Sequence, residues 1–461
     1  MLPVHTRAEL RAADEAAIAE VGLEALVARA GAAVAKEALR LLGGTYGRRV
    51  VIVAGRGHNG DDGRVAADLL RRRSVSVVEL DPTDLPGTLP DCNLVVDAAY
   101  GTGFRGEYRA PEVPPGTDVL AIDIPSGLDC DTGVACEGAV RASVTVTMAA
   151  LKPGLLMGAG RLLAGRIVLA PIGIAVAPSG LFLVEDADIA GWLPERPPET
   201  NKWRSACAVV AGSPGMFGAG RFSTSAAQRA GAGMVRWLVP GASPDTLPAT
   251  EAVARAVSAS DFADEVLTEL ARCQSLVVGP GLGTDAGVVA SVRRLVAEAD
   301  LPTIVDADGL GALGADDRAA EVLAGRRVPA VLTPHDGEYA KLAAAPGSDG
   351  HPGPDRVAAA RSLAARLGAV VLLKGSTTAV AGPGGEAFLV TAGSARLATA
   401  GTGDVLSGVV GAFLARGLEP LRAAALAAHV HGRAAGLGFS EGLVAGDLPV
   451  LVATVLSRAR D

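Results

Sequence analysis

Residues 49–63 read RVVIVAGRGHNGDDG. Five of the first six are apolar and mostly β-branched, the composition of a strand buried on both faces. The run Gly55-Arg-Gly-His-Asn-Gly-Asp-Asp-Gly63 then forms a turn, and a helical pattern follows at about 62–72. A buried strand, a glycine turn and a helix, in that order, define a parallel α/β unit whose ligands meet the carboxyl ends of its strands. Such a turn points backbone N–H groups and the positive end of a helix dipole at a phosphate, although its spacing alone leaves a purely structural turn open. The third glycine of a dinucleotide fingerprint would fall on Gly60, but no acidic residue follows the next strand in the usual role, Glu79 being the nearest.

Working outward, a capping box at Thr6 and Glu9 opens a helix, and a second helix over 23–42 stops at Gly43-Gly44. Further strands are expected at 75–80, 94–97, 119–123 and 144–147. The stretch between Glu185 and Lys202 carries three prolines and several charges, which reads as a linker. Beyond it the alternation resumes, with strands at 206–211, 275–279, 302–306, 330–333 and 370–374. A Gly382-Pro-Gly-Gly385 hairpin and helices at 402–413, 420–437 and 447–457 complete the chain. Two tandem α/β domains follow, over 1–190 and 202–461, with 191–201 between them.

Composition agrees with a large globular protein: 461 residues, 49% hydrophobic and 20% charged. A net charge of −8 provides no general field for nucleic acid or an anionic membrane, so any phosphate must be held locally. Mean hydropathy is +0.34, and the uncharged run 167–184 is long, but Pro171, Gly173, Pro178 and Gly180 break it into strand, turn and strand. The N-terminus lacks the apolar core of a signal peptide, and the five cysteines form no C-x-x-C pair, which fits a reducing cytoplasm. Only five of the 42 basic residues are lysine (Lys36, Lys152, Lys202, Lys341 and Lys374), which hints that lysine is kept where a compact ammonium is needed.

Two more strands of the first domain end in an acidic residue followed by glycines, in Val96-Asp97-Ala-Ala-Tyr-Gly101-Thr-Gly103-Phe-Arg-Gly106 and Ile122-Asp123-Ile-Pro-Ser126-Gly127. Three strand ends then converge on one cleft, where Asn59, Asp97 and Ser126 offer oxygen donors suited to a hard cation. A turn acceptor or helix cap is the plainer reading of Asp97 or Asp123 alone. In the second domain, Thr399-Ala-Gly401-Thr-Gly403-Asp404-Val-Leu-Ser-Gly408 opens a helix on small residues. Its N–H groups can face a phosphoryl group while Asp404 takes a proton from a hydroxyl. An Asp that merely complements the helix dipole is the alternative. His335 reads as a ligand contact or as an incidental residue at a helix start, and His429 and His431 do not share a helix face.

The segments GRGHNGDDG, VVDAAYGTGFRG and AIDIPSGLDCDTG resemble the epimerase half of the NAD(P)H-hydrate repair enzymes, the family with the YjeF N-terminal domain. The motifs around Gly281, Asp306, His335, Lys374 and Asp404 resemble its partner, the ribokinase-like ADP- or ATP-dependent dehydratase. The resemblance implies a Rossmann-like three-layer αβα sandwich followed by a ribokinase-like α/β domain. It implies potassium on Asn59, Asp97 and Ser126. Contacts to the hydrated nucleotides NADHX and NADPHX are implied for His58, Asn59, Gly60, Asp61 and Asp62, and for Gly101, Thr102, Gly103, Phe104, Arg105, Gly106, Glu107 and Asp123, with Lys152 near the site. In the second domain it implies hydrate contacts at Gly220, Gly281, His335 and Asp404. It places an adenine nucleotide, ADP giving AMP with magnesium, on Lys374, Gly375, Ser376, Thr377, Thr378 and Gly403. Asp404 would be the base of the dehydratase, and Asp123 and Lys152 the catalytic pair of the epimerase. This chain has His58 and Asp61 where the family usually shows Asn and Gly, Gly220 where it generally has alanine, and Arg396 beside the anion turn. A small-alcohol kinase with a regulatory N-terminal domain is the rival reading. A homo-oligomer with no nucleic-acid or membrane partner is expected.

Overall fold

The computed structural model of the protein describes residues 1–344 and 350–460. The chain divides into Leu2–Ser179 and, with Met1, Gly180–Asp461. The boundary therefore lies before 190. Leu181–Leu183 forms a strand of the second unit, and Trp192 packs edge-on against Phe388 with ring centroids 5.3 Å apart. The proline-rich stretch that reads as a tether is bound down: Arg416 donates to the Pro194 carbonyl at 2.5 Å and Arg460 to that of Leu193 at 3.1 Å.

The first unit is built on a six-stranded parallel sheet. Its strands are β1 (Arg49–Ala54), β2 (Ser76–Leu80), β3 (Leu94–Ala98), β4 (Asp118–Ile122), β5 (Val144–Met148) and β6 (Arg166–Ala170). Their order is β2-β1-β3-β4-β5-β6. The strand order reverses at β1, so the crevice opens between the carboxyl ends of β1 and β3. The helices Leu23–Leu42 and His58–Arg71 cover one face, where Val50, Ile52, Leu94, Val96, Leu120 and Ile122 are fully buried. Each such side chain contributes roughly 1.5–3 kcal/mol relative to exposure. Gly31 lets those helices touch, because a Cβ there would stand 2.6 Å from Val65 Cβ. The other face is covered mainly by irregular chain that brings Tyr108, Val113 and Val140 onto the sheet, with two one-turn helices, Pro153–Leu156 and Gly160–Leu163, between β5 and β6.

In the second unit the strands are β7 (Leu181–Leu183), β8 (Ala206–Val210), β9 (Met234–Pro240), β10 (Val253–Val257), β11 (Ser275–Val278), β12 (Thr303–Val305), β13 (Val331–Leu332), β14 (Val370–Leu373), β15 (Thr378–Ala381) and β16 (Ala387–Val390). They run in the order β7-β16-β15-β14-β13-β12-β11-β8-β9-β10. Pairing is parallel except where β15 meets β14 and β16. Helices Phe217–Arg229 and Thr402–Ala415 cross with their backbones almost touching, since a Cβ on Gly408 would lie 2.1 Å from the Ser223 carbonyl. That contact holds the start of Thr402–Ala415 over the carboxyl ends of the central strands. Among the described residues no helix is long and apolar enough to cross a membrane.

Candidate functional sites

The glycine turn of the first unit is shorter than the sequence implies. The helix starts at His58, so Asn59, Gly60, Asp61 and Asp62 lie in its opening turns. Gly60 permits this, because a Cβ there would strike the Gly55 carbonyl oxygen at 1.9 Å. Beside this helix end lies a cavity of about 790 Å³. It is lined by His58, Asn59 and Asp62, by Gly101, Thr102, Gly103, Phe104 and Arg105, and by Asp123. Gly106 and Glu107 are exposed and Gly60 is buried, all outside the lining, while Asp61 turns away to pair with Arg64 at 2.8 Å. Asp14, on the helix Arg7–Val21, also lines the cavity and belongs to none of the motifs.

Asp123 leaves β4 with φ at +66°, which points its carboxylate back across the strand ends. Lys152 meets it at 2.5 Å and is itself only 1% exposed. The same ammonium donates to Thr147 Oγ1 at 2.8 Å and to the carbonyls of Met148 at 2.9 Å and Ala150 at 3.2 Å. Asp123 also accepts from the Met148 N–H at 3.0 Å. Two further carboxyls face the cavity without such a partner. Burial, then the charges of Asp123, Asp61 and Asp14, push Asp62 up to about 8, and burial followed by Asp123 raises Asp14.

Asp97 and Ser126 sit behind the cavity and bond to one another. Ser126 donates to Asp97 through Oγ at 2.6 Å and through its N–H at 2.8 Å, and its Oγ accepts from the Tyr100 N–H at 2.9 Å. Burial raises Asp97 to about 6 against those hydrogen bonds, and no cationic side chain is among the groups acting on it. Nδ2 of Asn59 is buried without a partner, and Gly101 packs on that side chain. A buried carboxylate lacking a counter-charge, with only oxygen donors beside it, fits a hard monovalent cation.

The centre of the second site is Asp306, at the end of β12. It accepts from Thr333 Oγ1 at 2.8 Å, Lys374 Nζ at 2.9 Å and Ser407 Oγ at 2.6 Å. Burial alone would raise its pKa; the Lys374 charge and these bonds draw it below the usual carboxylate range. Burial likewise opposes the charge on Lys374, but Asp306 and Glu338 hold that ammonium above its ordinary value. Glu338 lies 3.8 Å from Lys374. Gly401, with φ at +88°, turns the chain into the helix Thr402–Ala415 without a side-chain cap. Among the described residues the N–H groups of Gly403 and Asp404 have no backbone acceptor, which leaves them for an anion. Burial first, then Asp306 and Asp308, raise Asp404 to about 6 against the pull of Lys374. A carboxyl near 6 is ionised at neutral pH yet basic enough to take a hydroxyl proton.

Other sequence-derived positions are sorted by the geometry. His335 caps the helix Asp336–Ala343, its Nδ1 accepting from the N–H groups of Gly337 at 3.0 Å and Glu338 at 3.2 Å. The neutral ring then carries its proton on Nε2 and offers a donor to the exterior. Gly281, φ +67°, rests on Ala219 at the start of Phe217–Arg229. Gly220 faces the fully buried Trp237 ring, so only its backbone can meet a ligand. Gly375 packs on Arg356, which donates to the Lys374 carbonyl at 2.6 Å and pairs with Asp336 at 2.9 Å. Thr377 is buried, and Ser376 and Thr378 flank it. Arg396 reaches the carbonyls of Ala435, Gly436 and Gly438 at 3.3–3.4 Å, at the end of the helix Pro420–Leu437. The sequence alone marks Asp306 as part of a motif and does not distinguish Arg356 from other arginines.

Two α/β units, one with a cation-suited strand-end cleft and one with an open helix N-terminus beside a lysine and a half-buried aspartate, define an enzyme that combines a Rossmann-like and a ribokinase-like domain. Residues 207–458 match the family model for NAD(P)H-hydrate dehydratase, and residues 23–87 and 78–154 match that of the YjeF-related protein N-terminus. The chain is 40% identical to the bifunctional NAD(P)H-hydrate repair enzyme Nnr of Mycobacterium tuberculosis (strain ATCC 25618 / H37Rv), with 90% of each chain covered. It is 31% identical to that of Escherichia coli (strain K12), over 84% of this chain and 80% of the relative. The second unit is similar to the ADP/ATP-dependent NAD(P)H-hydrate dehydratase of Bacillus subtilis co-crystallised with ATP and Mg2+, at a TM-score of 0.50 and 26% identity, covering 60% of this chain and 98% of that one. The chain belongs to the bifunctional NAD(P)H-hydrate repair enzymes.

Proposed function

We propose that the protein returns the hydrates NADHX and NADPHX to usable dinucleotide. The first unit interconverts the R and S hydrates, and the second dehydrates the S form with ADP, giving AMP and phosphate. The observation that carries this reading is the cluster of Asp404, Gly403, Lys374 and Asp306. A proton acceptor, free N–H groups and a charge-compensated ammonium are gathered there at one helix start. Asp404 takes the proton of the ring hydroxyl as the terminal phosphoryl group of ADP moves to its oxygen and AMP leaves. The N–H groups of Gly403 and Asp404 and the ammonium of Lys374 stabilise the charge on that group. Phosphate, a far better leaving group than hydroxide, then departs with the bonding pair as the adjacent carbon loses a proton and the ring double bond reforms. Magnesium is held in such sites by nucleotide phosphates with one or two carboxylates, and Glu338 and Asp308 offer oxygens of that kind.

In the first unit, Asn59, Asp97 and Ser126 would hold potassium, which supplies the missing counter-charge to Asp97. Asp123 faces the hydrate with Lys152 buried behind it and the turn Gly101–Arg105 around it. The five cysteines are all unpaired, which supports a reducing, cytoplasmic setting. A homo-oligomer is part of this reading. The test is recovery of dihydronicotinamide absorbance from mixed R and S hydrates, with potassium and magnesium, with and without ADP. Full ADP-dependent recovery, faster than spontaneous epimerisation allows, is expected. Recovery that halts at the S fraction removes the epimerase assignment, and none with ADP or ATP removes both.

A further inference from the structure

The wall of the first-unit cavity carries four carboxyls from three elements: Asp14 and Glu15 on the helix Arg7–Val21, Asp62 on His58–Arg71 and Asp123 after β4, with Glu15 paired to Arg11 at 2.9 Å. They are not equivalent. Asp123 is ion-paired with Lys152 at 2.5 Å and hydrogen-bonded to the Met148 N–H. Asp62 is 8% exposed, and neither a hydrogen bond nor a cation is among the influences on it, its electrostatic neighbours being Asp123, Asp61 and Asp14. Asp61, on the same helix, spends its charge on Arg64. Asp14 senses Asp123, Lys152 and His58. One carboxyl in the cavity is thus held by an ammonium and a backbone N–H, and another, buried among like charges, has no such partner.

Epimerising a hydrate of dihydronicotinamide has a definite chemical demand. The stereocentre bears both a hydroxyl and the ring nitrogen, so it is a carbinolamine carbon. Inverting it by the shortest route breaks the C–O bond while the nitrogen lone pair closes to a C=N⁺ bond. Hydroxide leaves poorly, so its oxygen must receive a proton as the bond breaks. Water then adds to the opposite face and gives up a proton.

We propose that Asp62 is the general acid of the epimerase, with Asp14 a positioning residue that keeps the proton on it and Asp123 the acceptor for the proton of the incoming water. In the forward step Asp62 becomes a carboxylate and one water leaves. In the return step one water adds, the electron pair goes back to nitrogen, and Asp123 is protonated. The net transfer of one proton from Asp62 to Asp123 is undone by solvent or by a turnover in the other direction. With a pKa near 8, Asp62 is mostly protonated at neutral pH.

The assignment rests on the epimerase reading, so the unaltered enzyme is first shown to interconvert R and S hydrates in saturating potassium; failure there removes the reading and the assignment together. In Asp62→Asn the epimerase kcat is expected to fall about 10²–10⁴-fold with KM for the hydrate little changed. ADP-dependent dehydration of pure S hydrate, measured on the same protein, should persist and reports that the chain is folded. In the unaltered enzyme the epimerase rate should decline above about pH 8, and in Asp14→Asn that alkaline limb should move to lower pH, since a carboxylate favouring the neutral form of Asp62 is gone. Epimerisation in ¹⁸O-labelled water should place label on the inverted carbon. An undiminished kcat in Asp62→Asn, a change confined to KM, a stationary limb in Asp14→Asn, or unlabelled product each overturns the proposal.

Discussion

Gly220→Ala is a one-carbon change whose outcome follows from the packing around the helix Phe217–Arg229. A Cβ at this position would stand 2.5 Å from Trp237 Nε1 and 2.6 Å from Cε2 and Cζ2, and Trp237 is fully buried. The indole cannot tilt freely, since Nε1 donates to the Ala211 carbonyl at 2.8 Å. Exchanging glycine for alanine inside a helix gains about 1 kcal/mol. Overpacking a well-filled core costs about 1–3 kcal/mol, and stranding a buried indole N–H costs a similar amount. The net expectation is a loss of about 2–3 kcal/mol, which lowers the melting temperature of a unit this size by about 3–6 °C. The assay is thermal unfolding of the full chain followed by tryptophan fluorescence and by loss of dehydratase activity. It is repeated on Trp237→Phe and on the double variant, where the smaller ring leaves room for the methyl group. A double-mutant cycle should show coupling of more than about 1 kcal/mol. If Gly220→Ala alone raises the melting temperature, or if the cycle shows no coupling, the packing argument is refuted.

The other expectations concern charge. Asp404→Asn should cut the dehydratase kcat by about 10²–10⁴-fold while leaving epimerisation intact, and in the unaltered enzyme that rate should fall as pH drops through about 6, because the base works only when ionised. Arg396→Ala should cost about 0.3–1 kcal/mol of stability at the carboxyl end of the helix Pro420–Leu437 and leave KM for ADP unchanged; a raised KM would restore a nucleotide role to this arginine. Lys152→Met strands the buried side of Asp123 and should destabilise the first unit by about 3–5 kcal/mol as well as abolish epimerisation, as read by chemical denaturation and hydrate interconversion.

Local pattern made much of this architecture legible. β1, β3, β4 and β8 are runs apolar on both faces, and the helix Leu23–Leu42 ends at a left-handed Gly43 as its composition implies. The break of 167–184 into strand, turn and strand agrees with β6 and β7, but the domain to which β7 belongs is decided by a long-range pairing with Leu389 and its neighbours that no local pattern reports. β9 and β10 lack a clean apolar run because Arg236 and Arg255, both paired with Glu269, interrupt it. In the sites, the glycine turns marked the strand ends. Asp14 and Arg356 sit on the helices Arg7–Val21 and Arg356–Leu367 and meet their partners only through tertiary packing, which leaves no spacing signature.

The scarcity of lysine proves to be the most economical clue, and the structure gives its reason. Lys36, Lys202 and Lys341 are exposed, whereas Lys152 and Lys374 each join a strand-end aspartate in one of the two sites. Both ammoniums serve more than one acceptor. Lys152 reaches a carboxylate, a hydroxyl and two carbonyls at 2.5–3.2 Å, and Lys374 lies between Asp306 and Glu338. A guanidinium offers its donors in a fixed planar fork, whereas an ammonium is a compact point charge with three rotatable donors, so the two are not interchangeable at such positions. In each unit the lysine pairs with one carboxylate, while burial first and neighbouring carboxylates second raise the pKa of another, Asp62 or Asp404, the latter against the pull of Lys374. The two units have unrelated sheet orders, yet both separate a lysine-paired aspartate from one without such a partner. Under the proposed roles that division would serve each reaction, a hydroxyl on the same ring being protonated in one site and deprotonated in the other.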